Sequence, residues 1–280
     1  MVWASNFLPD LIPGMSHEKK APRTGAFFIV CSLLFAMLSG QVLATDCVTG
    51  RIDDQVEVRQ IFDGDTVQLM DGRKVRLLGI NTPEMGRADR PSEPLASEAR
   101  KSLSALIRQA GSVGLRYGKQ RKDRYKRELA HLIIDGHIDV QQVLLEQGLA
   151  IAIVVPPNLW QQDCYQQAEK RARDKGLGVW GLDYFRPFDV GRQTVDRGGF
   201  RLIKGRVIHV DKSSQSVWLD LDGGVSLRIA SEDWRYFSVR DWDRWQGRNI
   251  VARGWLYRRG EQWRLRIRHP QNIMRVRSEE

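Results

Sequence analysis

The sequence predicts a mainly β chain with helices, of the α+β class, in which a five-stranded OB-like barrel carrying three helices is followed by a second small OB-like β-barrel. Three observations carry this expectation. Short runs rich in β-branched and aromatic residues recur between turn signals. Three stretches instead repeat apolar residues at helical spacing, each closed by a glycine. Residues 182–199, with Pro187 and a terminal Gly198-Gly199, show no period and read as a linker between 45–181 and 200–280.

Residues 56–62, 66–70 and 74–80 form a three-stranded meander, with a turn at Asp71-Gly72. Pro94 opens a helix whose Leu95, Ala99, Leu103 and Leu106 share one stripe, and Gly111 ends it. Strands at 113–117 and 129–134 follow. Asp139 and Gln142 resemble a capping box ahead of Val140, Val143 and Leu144. Asn158 is expected to cap a last helix bearing Tyr165, Ala168 and Ala172, which stops at Gly176. In the second half, strands at 201–210, 216–221, 225–229, 249–257 and 262–267 surround a helical patch at 231–245, with Trp218 and Trp255 expected in the core.

At 280 residues with 42% hydrophobic content, the chain can bury two ordinary cores. Lys19, Lys20 and Arg23 precede an apolar run at 26–38 and a small-residue exit at Ala44, so residues 1–44 read as a cleaved signal peptide and the protein as exported, periplasmic or secreted. Met15 is a second candidate start. An uncleaved membrane anchor is the alternative, although the run is shorter than the roughly 20 residues a spanning helix needs. Removal of the leader leaves Cys47 and Cys164, which can form one disulfide in an oxidising compartment or remain free thiols. The net charge of +10 is uneven: residues 198–280 hold 17 Lys and Arg against 10 Asp and Glu. Such a surplus favours a polyanionic partner or surface. The histidines fit no zinc spacing, and Gly176-Leu177-Gly178 follows a helix, unlike a phosphate loop.

The chemistry is concentrated in three phrases: Asp63-Gly64-Asp65-Thr66, the stretch from Arg76 through Asn81-Thr82-Pro83-Glu84, and Asp123-Arg124-Tyr125-Lys126-Arg127. Strand alternation sends Val75 and Leu77 to one face and Arg76 to the other. Pro83 forces Thr82 into an extended conformation that exposes its carbonyl. Asp65, the Asn81 amide oxygen and the Thr82 carbonyl make an all-oxygen set suited to a hard cation such as Ca2+. Acids, an amide and guanidinium groups together are what metal-assisted phosphodiester chemistry requires.

With Gln147-Gly148-Leu149-Ala150 added, residues 56 to about 181 resemble the staphylococcal nuclease, or thermonuclease, family. The resemblance implies Ca2+-dependent hydrolysis of DNA and RNA phosphodiesters, with little sequence specificity, on a five-stranded barrel. It assigns Asp65, Asn81 and Thr82 to the metal and Asp63 to its outer shell. Glu84 would orient or deprotonate water, Arg76 and Arg127 would hold the phosphate, and Tyr125 with Arg124 would meet the nucleotide. Two positions depart from the family: Asn81 replaces a second ligand aspartate, and aliphatic residues at 153–155 stand where nucleotide-contacting tyrosines are expected. Weaker mononucleotide binding should follow. The alternative function is a nuclease-like nucleic-acid-binding or scaffold protein with weak or no turnover. An envelope-associated interaction protein held by its N-terminus is a third reading.

Overall fold

The computed structural model describes residues 47, 50–88, 90–238 and 241–276, all within the unit Thr45–Glu280. The expected signal peptide, with its Met15 start, lies outside the described residues. In chain order the first half contains β1 Asp54–Gln55, β2 Val58–Ile61, β3 Thr66–Leu69, β4 Lys74–Leu77, β5 Ile80–Asn81, α1 Ala96–Gln109, β6 Val113–Lys122, β7 Glu128–Ile134, β8 Ile138–Asp139, α2 Val140–Glu146, β9 Ile151–Ala152 and α3 Gln162–Asp174. The sheet runs β1-β6-β7-β4-β3-β2, with β8 on β7, and β5 pairs separately with β9. The chain is mainly β with a few helices.

The meander folds where alternation placed it, but the third strand is interrupted. Gly79 sits at φ +77°, and a Cβ there would come within 2.6 Å of the Tyr165 ring, so the chain turns before β5. That break moves Asn81 away from the sheet carrying Arg76. Helix α1 starts at Ala96, since Leu95 takes a left-handed conformation after Pro94. Asp139 accepts from the Gln142 N–H, as expected of an N-cap. Asn158 does not cap α3: Gln161 is its N-cap residue, while the Asn158 amide exchanges hydrogen bonds with the Gln120 backbone and pins β6. Cys47 and Cys164 form a disulfide, with Cα atoms 5.6 Å apart.

Val67, Leu69, Val75, Leu77, Leu103, Leu115 and Leu132 are among the buried residues of the first core. Behind it, the Tyr165 hydroxyl donates to Asp139 at 2.8 Å and lies 2.8 Å from Nδ1 of His131. Burial, with a smaller contribution from Arg116, pushes His131 down to about 3. Its folded pKa is therefore below its unfolded value, and the stability it contributes above pH 6.5 is lost as pH falls. Relative to the wild type, His131→Gln is expected to gain on the order of 3 kcal/mol between pH 6.5 and pH 4, read from denaturation midpoints. Parallel profiles would contradict the neutral, desolvated imidazole.

The remaining strands are β10 Phe188–Asp189, β11 Gly199–Lys212, β12 Ser216–Leu221, β13 Val225–Ala230, β14 Asn249–Arg259, β15 Gln262–Arg266 and β16 Ile273–Arg275. Their order is β10-β11-β12-β13-β15-β14-β16, and β11 also pairs with β14, joining both sides of that path. The patch at 231–245 contains two 3-10 segments, Ser231–Tyr236 and Asp243–Trp245. A second core gathers Ile203, Leu219, Leu227, Trp242, Trp245, Leu256 and Leu265. Trp255 is not in it: 45% of its surface is exposed. Alternation explains this correction, because Leu256 takes the inward position on β14 and leaves Trp255 outward. Trp218 is likewise only half-buried.

Among the described residues, no helix is long and apolar enough to cross a membrane. The first and second halves meet through buried polar contacts. Arg253 on β14 pairs with Glu169 on α3 at 2.7 Å, both 1% exposed, and donates to the Ala152 carbonyl at 2.8 Å. The Asn272 side chain exchanges hydrogen bonds with the backbone N–H and C=O of Val154.

Candidate active site

The turn between β2 and β3 brings the first acids inward. Asp63 accepts from the backbone N–H of Asp65 at 3.0 Å, an Asx-type turn that fixes the loop. Gly64 is required there, because a Cβ would lie 2.7–3.0 Å from Ala99 and Thr82 atoms. Asp65, 4% exposed, accepts from the Thr82 N–H at 2.8 Å and the Thr66 hydroxyl at 3.0 Å. Thus one carboxylate ties the meander to the loop after β5.

Arg76 crosses this junction. Its Nη2 lies 3.0 Å from Oδ2 of Asp65 and 3.2 Å from Oδ1 of Asn81, while Nη1 donates to the Leu77 carbonyl at 2.7 Å. The Asn81 amide nitrogen in turn donates to the Thr82 carbonyl at 3.2 Å. Two oxygens from separate elements therefore converge on one cationic point. The Thr82 hydroxyl oxygen is buried with no hydrogen-bond partner. Among the described residues, no cluster of three or more His, Cys, Asp or Glu side chains is arranged to hold a metal ion, so any cation here depends on amide and carbonyl oxygens as well.

Glu84 lies beyond this junction. Burial first, then the Asp65 charge, raises its pKa, with Arg76 opposing. Asp63 is pushed up to about 7 by burial and then by Asp65. The Glu84 N–H donates to Oε2 of Glu93 at 2.9 Å, and the Glu93 N–H donates to the Glu84 carbonyl at 2.9 Å. Tyr184 then donates to Oε1 of Glu93 at 3.2 Å, and Arg197 donates to the Tyr184 hydroxyl at 3.1 Å. Glu93, Tyr184 and Arg197 carried no sequence signal of such a role, because the relay depends on the Tyr184–Glu93 contact, 91 residues apart in the chain.

The third phrase forms the tight turn between β6 and β7. Asp123 accepts from the backbone N–H groups of Tyr125 and Arg127 and from Arg127 Nε at 2.8 Å, with Lys126 at φ +64° completing the turn. Tyr125 is 65% exposed, with Arg124 and Arg127 at 4.7 and 5.5 Å from its ring centre. On the adjoining parallel strand Arg76 is in register with Leu129, and Arg127 immediately precedes that strand. Asp63, Asp65, Arg76, Asn81 and Thr82 form one bonded group; Arg124, Tyr125 and Arg127 form another around Asp123. No hydrogen bond or ion pair among the described residues joins the two groups. A bridging anion would have one guanidinium on β4 and one in the turn that leads into β7.

Residues 74–181 match the family model described as a staphylococcal nuclease homologue. The thermonuclease of Staphylococcus hyicus is 31% identical over 158 residues, covering 55% of this chain and 92% of that protein. Endonuclease YncB of Bacillus subtilis (strain 168) is 34% identical over 130 residues, 45% of this chain and 61% of its own. The SPbeta prophage-derived endonuclease YokF of the same organism is 30% identical over 166 residues, 58% of this chain. The chain spans about half the length of YokF, at 53%.

Proposed function

We propose, on the premise that this chain belongs to the staphylococcal nuclease family, that it is an exported nuclease hydrolysing phosphodiester bonds of DNA, RNA or both with little sequence preference. The convergence of Asp65 and Asn81 on Arg76 carries this reading. It gives one small region an acceptor set for a cation and a guanidinium for the phosphate. Export is supported by the apolar run before Ala44 and by the Cys47–Cys164 disulfide, since such bonds persist in oxidising compartments. The reading of the two sheets as a five-stranded and a second small OB-like barrel draws support from the meander and from the β11–β14 pairing.

The donors fit Ca2+: all are oxygens, and Asp65 and Asn81 already share one cationic neighbour. Asp65, Asn81 and the Thr82 carbonyl would hold the ion, with Asp63 behind them. When bound, Ca2+ supplies charge neutralisation at a phosphate oxygen and positions water. The protein's own groups do the rest. Arg76 and Arg127 hold the non-bridging oxygens and stabilise the charge gained as the water oxygen bonds to phosphorus and one ester P–O bond breaks, the departing sugar oxygen taking a proton from solvent. Glu84 accepts the proton of the attacking water at a carboxylate oxygen. Tyr125 and Arg124 flank the nucleotide. Asn81 lacks the charge of an aspartate, which specifically favours the alternative of a binding protein with weak or no turnover; binding with a steep salt slope but no cleavage would identify it.

Glu93 positions Glu84 by holding its backbone N–H. Glu93→Ala is expected to lower kcat on the order of tenfold with KM nearly unchanged. Tyr184→Phe, which removes only the next hydrogen bond, should have a smaller effect in the same direction. Steady-state kinetics on a labelled oligonucleotide separate the two parameters. A raised KM with an unaltered kcat would place Glu93 in substrate binding instead.

A further inference from the structure

The outward face of the second sheet is not an ordinary solvated surface. Along β12, β13, β15, β14 and β11 it presents Trp218, Arg228, Arg264, Tyr257, Trp255 and Phe200 as neighbours. Register makes this contiguous: Trp218 is opposite Arg228, Tyr257 opposite Arg264, and Trp255 opposite Phe200. Trp255 and Tyr257 are 45% and 42% exposed. The Arg264 and Arg228 guanidiniums lie 4.8 and 5.8 Å from the Trp218 ring, and Phe200 meets Trp255 edge-on at 5.3 Å.

Charge decides which partner such a face fits. The hydrogen-bond partners of Arg228 and Arg264 are the neutral side chains of Ser216 and Gln262, and among the described residues neither guanidinium forms a salt bridge, although Glu232 lies near enough to feel the Arg228 charge. Asp220, an acid on this face, accepts from Ser226. Arg266 is paired with Glu232 and Asp233 and adds little. Partly exposed rings beside guanidiniums that make no ion pair of their own match a strand whose bases are unstacked and whose phosphates alternate with them. A duplex hides its base faces and would use only the charge.

Position links this face to the catalytic residues. Phe200 follows Arg197 by three residues, and Arg197 reaches the Glu84 loop through Tyr184 and Glu93. On the same outward side of β14, Arg253 is buried against Glu169 of α3, so the face continues from the nuclease half. The geometry points to a docking track for single-stranded polynucleotide, on which a strand held at Arg76 and Arg127 continues over the Phe200–Trp255 pair toward Tyr257, Arg264 and Trp218. This rests on the nuclease reading for the identity of the bound strand. It assigns to residues 199–264 the grip on long substrates that the aliphatic residues at 153–155 do not provide.

The test uses the full chain in EGTA, so that binding is read without cleavage. Fluorescence anisotropy of a fluorescein-labelled 20-nucleotide oligothymidine, and of the matching oligouridine, should show Trp255→Ala and Tyr257→Ala each weakening binding at least about fivefold. Arg264→Gln should weaken it as well, and a 20-base-pair duplex should change less than about twofold with either aromatic variant. Both aromatics are solvent-facing, and matching melting curves confirm the folds. Unchanged strand affinity in the Trp255→Ala/Tyr257→Ala double variant overturns the track. So does an equal loss for strand and duplex. If the wild type cleaves in millimolar calcium while the double variant binds normally, the track alone fails. If the substitutions weaken binding but the wild type never cleaves, the track stands and the nuclease reading fails.

Discussion

Arg127→Ala is expected to lower turnover on an oligonucleotide by at least about a hundredfold, measured as single-turnover cleavage with saturating enzyme. Phosphoryl transfer gives the protein little covalent work, so rate depends on positioning and on charge facing the transferred group; guanidiniums there are worth roughly 10³–10⁵ in rate. Asp123 fixes Arg127 twice, through the backbone N–H and through Nε, leaving the terminal nitrogens for a ligand. Lysine cannot reproduce that fork, so Arg127→Lys should remain near the alanine variant. Glu84→Gln should lose a comparable factor, together with any rise in rate as pH increases through its elevated pKa. An Arg127→Ala protein with wild-type single-turnover rates would show that the guanidinium does not meet the reacting phosphate.

The second large effect concerns stability. Glu169→Gln is expected to cost about 3–5 kcal/mol, because it leaves the Arg253 charge buried without its counterion. Arg253 is 1% exposed, and two of its nitrogens are already without hydrogen-bond partners in the structure. The loss should appear as one cooperative shift of the denaturant midpoint, since the pair ties α3 to β14. Replacing both partners, as in Glu169→Gln with Arg253→Met, should cost less than the sum of the single changes. Additive losses, or two separate transitions in the wild type, would mean that the pair does not couple the halves.

Alternation and turn chemistry made much of this fold legible. Val67, Leu69, Val75 and Leu77 alternate, and their burial follows from period two. The expectation for Asp139 was correct because an N-cap is decided by its own side chain and the N–H three residues on. Asn158 misled for the opposite reason: its amide found a better partner in the Gln120 backbone, 38 residues away. Trp255 misled because a tryptophan on a strand is ordinarily core, and only the register of β14 against β15 shows which side faces inward.

The site divides along the same line. Asp63, Asp65, Arg76, Asn81 and Thr82 are close in sequence, and one broken strand brings them together. Glu93 bonds Glu84, Tyr184 bonds Glu93 and Arg197 bonds Tyr184, a relay across three segments that no local pattern reports. The aliphatic run at 153–155 has a structural explanation. Ile153 and Val154 are 5% and 3% exposed, and Asn272 from the second half bonds the Val154 backbone. Side chains covered in this way offer a nucleotide little surface, whereas Val155 is only half-buried.

Digestion of single-stranded DNA and of RNA by the full chain, with millimolar calcium in one arm and EGTA in the other, tests the central claim most directly. The account predicts acid-soluble fragments from at least one substrate with calcium, near-complete loss in EGTA, and recovery when calcium is restored. Intact polymers in calcium, from a protein whose melting curve shows it folded, would contradict it.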